Sequence, residues 1–126
     1  MATVLLIDDE ATVRSGVRRL LRTKGHEVLE ASNGREAIAA IRRHDLDLVI
    51  TDINMPEADG IEVIMELRAQ GSGVPIIAIS GGGRLEKDLL LANAAMLGAI
   101  ITLPKPFELD VLSASVDRAL QVNGGL

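Results

Sequence analysis

Few residues in this sequence can do chemistry, and they fall in one pattern. Asp8-Asp9-Glu10 follow the apolar run at 4–7, Asp52 lies near the end of the run at 46–53, Ser80 closes the run at 75–80, and Lys105 follows the run at 99–103. If those runs are neighbouring parallel strands, three aspartates, a hydroxyl and an ammonium converge on one rim. Carboxylates so placed repel one another by about 1 kcal/mol per pair at 4 Å, even at the dielectric of water. Lys105 is one positive charge against three, so a hard divalent cation is the natural supplement. Mg²⁺ fits best, because it accepts one or two carboxylates together with water and a substrate phosphate. Zinc is disfavoured, because there is no cysteine and His26 and His44 fall at element boundaries. With Mg²⁺, the set implies phosphoryl transfer onto a nucleophilic carboxylate, with metal and ammonium stabilising the transferring oxygens and Ser80 bonding the product.

Positioning these groups takes a regular scaffold. The 126 residues suit one domain. Phe107 is the sole aromatic, so the core is expected to be aliphatic. The lack of cysteine excludes disulfides and thiolate chemistry and fits a reducing cytoplasm. No leader pattern is expected at the N-terminus, and no apolar run approaches the roughly 20 residues of a membrane span. A formal net charge of −5 argues against direct nucleic-acid binding. The basic groups Arg18, Arg19, Arg22, Arg42 and Arg43 read as solvated helix faces.

Two periodicities alternate along the chain. Short apolar runs at 4–7, 27–31, 46–53, 75–80 and 99–103 predict strands. The segments 11–24, 35–44, 61–70, 85–97 and 108–122 predict helices. Asn33-Gly34 supplies a turn, and Gly16 inside the first helix would permit close packing against the sheet. Strict alternation implies an α/β, doubly wound, five-stranded parallel sheet covered by five helices, with ligands beyond the carboxyl ends of the strands. Residues 1–122 form the expected domain and 123–126 a C-terminal tail.

The residues Asp8-Asp9, Asp52-Ile53-Asn54-Met55-Pro56 with Asp59-Gly60, Ser80, and Lys105-Pro106-Phe107 carry a resemblance over nearly the full length. The sequence resembles the receiver domain of two-component response regulators. That resemblance implies a flavodoxin-like fold of strand order 2-1-3-4-5 and phosphorylation on Asp52. It also implies Mg²⁺ held by Asp9, Asp52 and the backbone carbonyl of Asn54, with Asp8 acting mainly through water. Lys105 would pair with the phosphoryl group or, at rest, with Asp52, Ser80 would move toward the phosphate, and Lys105–Pro106 would be cis. From the residues alone, Glu10 could touch the metal through water and ranks below Asp9 as a ligand. The expected partners are a histidine kinase or histidine phosphotransfer protein, and a downstream target or an output domain beyond this sequence. The chain is expected to be a cytoplasmic signalling switch rather than an enzyme.

Two departures bear on the readout. Thr102 stands where the family often carries an aromatic switch residue, and Gly81-Gly82-Gly83 follow Ser80 directly. Ordering of that loop would then replace an aromatic flip. Leu89-Leu90-Leu91 exceed what one buried stripe needs, so a partner or homodimer surface is expected on the fourth helix, the fifth strand and the fifth helix. The competing reading, an aspartyl-phosphate phosphohydrolase of the haloacid-dehalogenase-like group, needs a second carboxylate where Asn54 stands.

Overall fold

The computed structural model describes residues 1–53, 60–80 and 100–124. In chain order these hold β1 (Thr3–Ile7), α1 (Ala11–Thr23), β2 (Glu27–Ala31), α2 (Gly34–Arg43), β3 (Leu48–Asp52), α3 (Gly60–Ala69), β4 (Ile76–Ser80), β5 (Ile100–Pro104) and α4 (Leu109–Gly124). The strands form one parallel sheet in the order β2-β1-β3-β4-β5, the flavodoxin-like arrangement expected. Asn54, Asp59, Gly81, Gly82, Gly83, Leu89, Leu90, Leu91 and the helix expected at 85–97 lie outside the described residues.

The period-2 geometry of a strand sends alternate side chains to opposite faces. Val4 and Leu6 of β1 join Leu48 and Ile50 of β3 in a core closed by Val17 and Leu21 of α1 and Leu112, Val116 and Ala119 of α4. Leu5, Ile7 and Val49 join a second core with Ala37 and Ile41 of α2 and Val63, Ile64 and Leu67 of α3. Both faces of the central strands are therefore dry, which is why β3 and β4 open on continuous apolar runs, at 48–50 and 76–79. Burying each large aliphatic side chain contributes about 1.5–3 kcal/mol, so aliphatics alone can hold this sheet.

Three local details differ from the sequence reading. A Cβ at Gly16 would meet nothing within 4 Å, so close packing against the sheet does not require that glycine. Instead Gly16 lines an apolar groove with Val13, Val17, Phe107 and Leu109. Asn33-Gly34 is a helix entry as much as a turn: Gly34 is already helical, and Asn33 Oδ1 accepts the Glu36 N–H at 2.9 Å. Glu36 Oε1 reaches back to the Ser32 N–H at 2.7 Å. At the other end of the chain, α4 continues to Gly124, past the boundary expected near Val122.

Removing the Asn33 cap by Asn33→Ala should cost about 1 kcal/mol of stability. Urea denaturation should show a lower midpoint at unchanged slope.

Candidate functional site

The sheet order places a crevice where the chemistry-bearing residues end. From β1 the chain crosses to β2 on one side, and β3 then returns on the other side of β1. Helices leaving these strands cover opposite faces, so a cleft opens at their carboxyl ends. The register pairs Ile7 with Thr51, which brings Asp8 and Asp52 out side by side. Asp52 is itself in register with Ile79, one step before Ser80, and Ser80 is in register with Pro104, one step before Lys105. Four separate segments thereby deliver their polar residues to one place.

Lys105 ties the rim together. Its Nζ donates to Asp52 Oδ2 at 2.8 Å and to Glu10 Oε1 at 2.9 Å, and lies 3.6 Å from Asp8 Oδ2. Asp8 is fully buried and Asp52 is 4 % exposed, while Asp9 and Glu10 face solvent. Desolvation works against the Lys105 charge, yet hydrogen bonds to Asp52 and Glu10 and the fields of Asp52 and Asp8 outweigh it and raise its pKa. Burial likewise raises the pKa of Asp8; the Glu10 N–H bond and Lys105 pull it down, and the carboxylates of Asp52 and Glu10 push it up.

The backbone around these groups is closely held. Glu10 N–H donates to Asp8 Oδ1 at 2.9 Å, and Arg14 Nη1 donates to the Asp8 carbonyl at 2.8 Å, fixing the turn from β1 into α1. Thr51 Oγ1 donates to the Asp52 carbonyl at 2.9 Å, and Lys105 N–H donates to the Ser80 carbonyl at 2.7 Å. The Lys105–Pro106 bond is cis, as the resemblance implied. Gly60 packs its backbone against β3: a Cβ there would collide with the Asp52 carbonyl oxygen and come within 2.7 Å of Ile53 Cα. Glycine at 60 is therefore a steric requirement of the strand that carries Asp52.

Oxygens of Asp8, Asp9, Glu10 and Asp52 all lie within 4.8 Å of one another. Among the described residues Asp8 Oδ2 is buried with no hydrogen-bond donor. Four clustered carboxylates with one ammonium among them carry excess negative charge, and the three aspartates, one with a buried unsatisfied oxygen, form an all-oxygen donor set suited to a hard divalent cation. The geometry thus fits the Mg²⁺ expected from the sequence.

The structure brings together Asp8, Asp9 and Asp52 and places Lys105 on Asp8 and Asp52, with Ser80 buried at the neighbouring strand end. Asn54, the expected backbone ligand, lies outside the described residues. Thr102 is exposed on β5, in register with Ala78. Glu10 makes a contact that the sequence reading did not name: its carboxylate bonds Lys105 directly. Its place beside two aspartates after a strand was visible in the sequence; its partner, 95 positions away, was not.

Comparison with known proteins agrees with this geometry. Residues 4–117 match the family described as the response regulator receiver domain. The response regulator MprA of Mycolicibacterium vanbaalenii is 38% identical over 117 residues, covering 93% of this chain and 49% of that protein. The sensor kinase CckA of Brucella abortus is 36% identical over 122 residues, covering 95% of this chain and 13% of that protein. The chain thus spans about half, or much less, of the length of these curated relatives. The response regulator TrrA of Thermotoga maritima, solved in complex with Mg²⁺-BeF, superposes with a TM-score of 0.82 at 31% identity, covering 95% of this chain and 100% of that one.

Two outcomes follow from the geometry. Gly60→Ala should destabilise the fold by about 1–3 kcal/mol, the usual cost of overpacking, and should perturb the Asp52 amide signal in a backbone NMR spectrum. Asp8→Asn should stabilise the metal-free protein at neutral pH. The raised folded pKa means that stability from Asp8 is present below its ordinary value of 3.8 and is lost as pH rises through the folded value. The gain from Asp8→Asn, read from urea midpoints, should therefore shrink as pH is lowered toward 3.8.

Proposed function

The chain belongs to the response regulator receiver domain family, and we propose that it is a Mg²⁺-dependent switch in which Asp52 accepts a phosphoryl group from a phosphohistidine. The observation that carries this reading is the buried Asp52 carboxylate, paired at 2.8 Å with Lys105 inside a cluster of four carboxylates. An oxygen of Asp52 attacks phosphorus, the new O–P bond forms as the N–P bond breaks, and the imidazole leaves with the electron pair. Asp9 and Asp52 would hold Mg²⁺ directly and Asp8 mainly through water, with the Asn54 carbonyl as a further ligand. Bound there, the metal supplies charge neutralisation to the phosphoryl oxygens. Lys105 follows the transferred group, because its three donors can exchange a carboxylate oxygen for a phosphoryl oxygen. The hydroxyl of Ser80 supplies a hydrogen bond to the product.

The donor is a histidine kinase or histidine phosphotransfer protein. Its docking place is the apolar groove of about 430 Å³ beside Lys105, lined by Val13, Gly16, Phe107 and Leu109. The readout surface runs over β5 and α4, where Thr102, Leu109 and Val111 are exposed. The receiver as a unit runs at least to the end of α4 at Gly124, and its target is a separate protein, an output domain or a second copy of this chain.

Treatment with acetyl phosphate and Mg²⁺ should add one phosphoryl group to the intact mass. The adduct should vanish in Asp52→Asn and when EDTA removes the metal. An adduct that persists in Asp52→Asn would refute the assignment of the site.

A further inference from the structure

Glu10 is the member of this rim for which the phospho-acceptor reading provides no direct task. It stands at the N-cap of α1, yet its side chain caps no helix N–H. Its carboxylate instead accepts the Lys105 ammonium at 2.9 Å, while the same ammonium donates to Asp52 at 2.8 Å. The two partners differ in kind: the Asp52 side chain is 6% exposed, whereas that of Glu10 is 58% exposed at the mouth of the cleft. Lys105 thus bridges a buried position on the nucleophile and an outer one. The bridge matters because an ammonium held on Asp52 occupies the charge that a metal or an incoming phosphorus must use. Moving it wholly into solvent would break both charge-assisted hydrogen bonds, each about twice as strong as a neutral one. With Glu10 present, the bond to Asp52 can lengthen while the other holds.

We propose that Glu10 is a positioning residue: a second anchor that lets Lys105 yield Asp52 to an arriving divalent cation or phosphoryl group without leaving the site. The inference rests on the phospho-acceptor reading of Asp52. Glu10 acts here through Lys105, not as a metal ligand, and that distinction is measurable.

Since the Glu10 side chain caps nothing, Glu10→Ala removes the anchor without removing a helix cap. Titration of the metal-free protein with MgCl₂, followed by backbone amide shifts, should show Mg²⁺ affinity falling about fivefold in Glu10→Ala, the scale of one charge pair at about 4 Å in water. Glu10→Gln, which keeps an acceptor but not the charge, should lie between Glu10→Ala and the parent. In a Lys105→Met background most of the Glu10→Ala effect should disappear, because the cation to be anchored is gone. Equal affinities for Glu10→Ala and the parent would overturn the proposal. So would the same fold-loss in both backgrounds, which would make Glu10 a plain charge in the field of the metal. Timing the acetyl phosphate adduct on the same samples separates the two readings. A parent protein that binds Mg²⁺ but takes no adduct fails as a phospho-acceptor, whatever Glu10 does. A parent that takes the adduct while Glu10→Ala matches it in both affinity and rate sinks the anchor alone.

Discussion

Two carboxylates, Asp8 and Asp52, are buried at the end of an apolar sheet, and Lys105 is the cation that makes this tolerable. Taking an ion out of water costs several kcal/mol even after relaxation. A buried acid without a partner would neutralise or swell the cleft. The geometry of the rim answers that constraint. Lys105 is brought across from β5, the turn after β1 is held by Arg14, and glycine at 60 lets the backbone lie against the strand that carries Asp52. The compensation is incomplete, and the raised Asp8 pKa with its unsatisfied oxygen records what is left over. That remainder is the charge deficit a divalent cation would fill.

The scaffold matters chiefly for how rigidly it sets these positions. Both faces of the central strands are sealed, one by α1 and α4 and the other by α2 and α3. A one-residue slip in a central strand would send each side chain into the opposite core, where it meets differently shaped neighbours, and would carry the polar residue at its end out of place. Register thus fixes the side-by-side exit of Asp8 and Asp52. The site is consequently built at the carboxyl ends of a closely packed sheet, while the adaptable part is the long side chain of Lys105. An ammonium on a flexible stem, shared among carboxylates of unequal burial, can redistribute without the sheet moving.

Much of this was legible in the sequence for a simple reason. Strands buried on both faces must be apolar throughout, so Val4-Leu5-Leu6-Ile7 and Ile76-Ile77-Ala78-Ile79 announce themselves, and a polar residue at their ends is conspicuous. Boundaries were less secure: α4 runs to Gly124, and Gly34 begins a helix where a turn was expected, because capping by Asn33 is a matter of side-chain geometry. Gly16 misled in the other direction. A glycine within a helix suggests a tight contact, but here it borders open space beside the apolar groove.

The sequence by itself determined the alternation of strands and helices, the aliphatic core and the identity of the residues at each strand end. These follow from local periodicity and residue chemistry, which a chain carries wherever it folds. Only the tertiary structure decided how the ammonium is shared. Lys105 reaches Asp52 across 53 positions and Glu10 across 95, and no local rule ranks Glu10 above Asp9 as its partner. That choice depends on the angle at which α1 leaves β1 and on distances of a few tenths of an ångström. The packing of the two cores sets both.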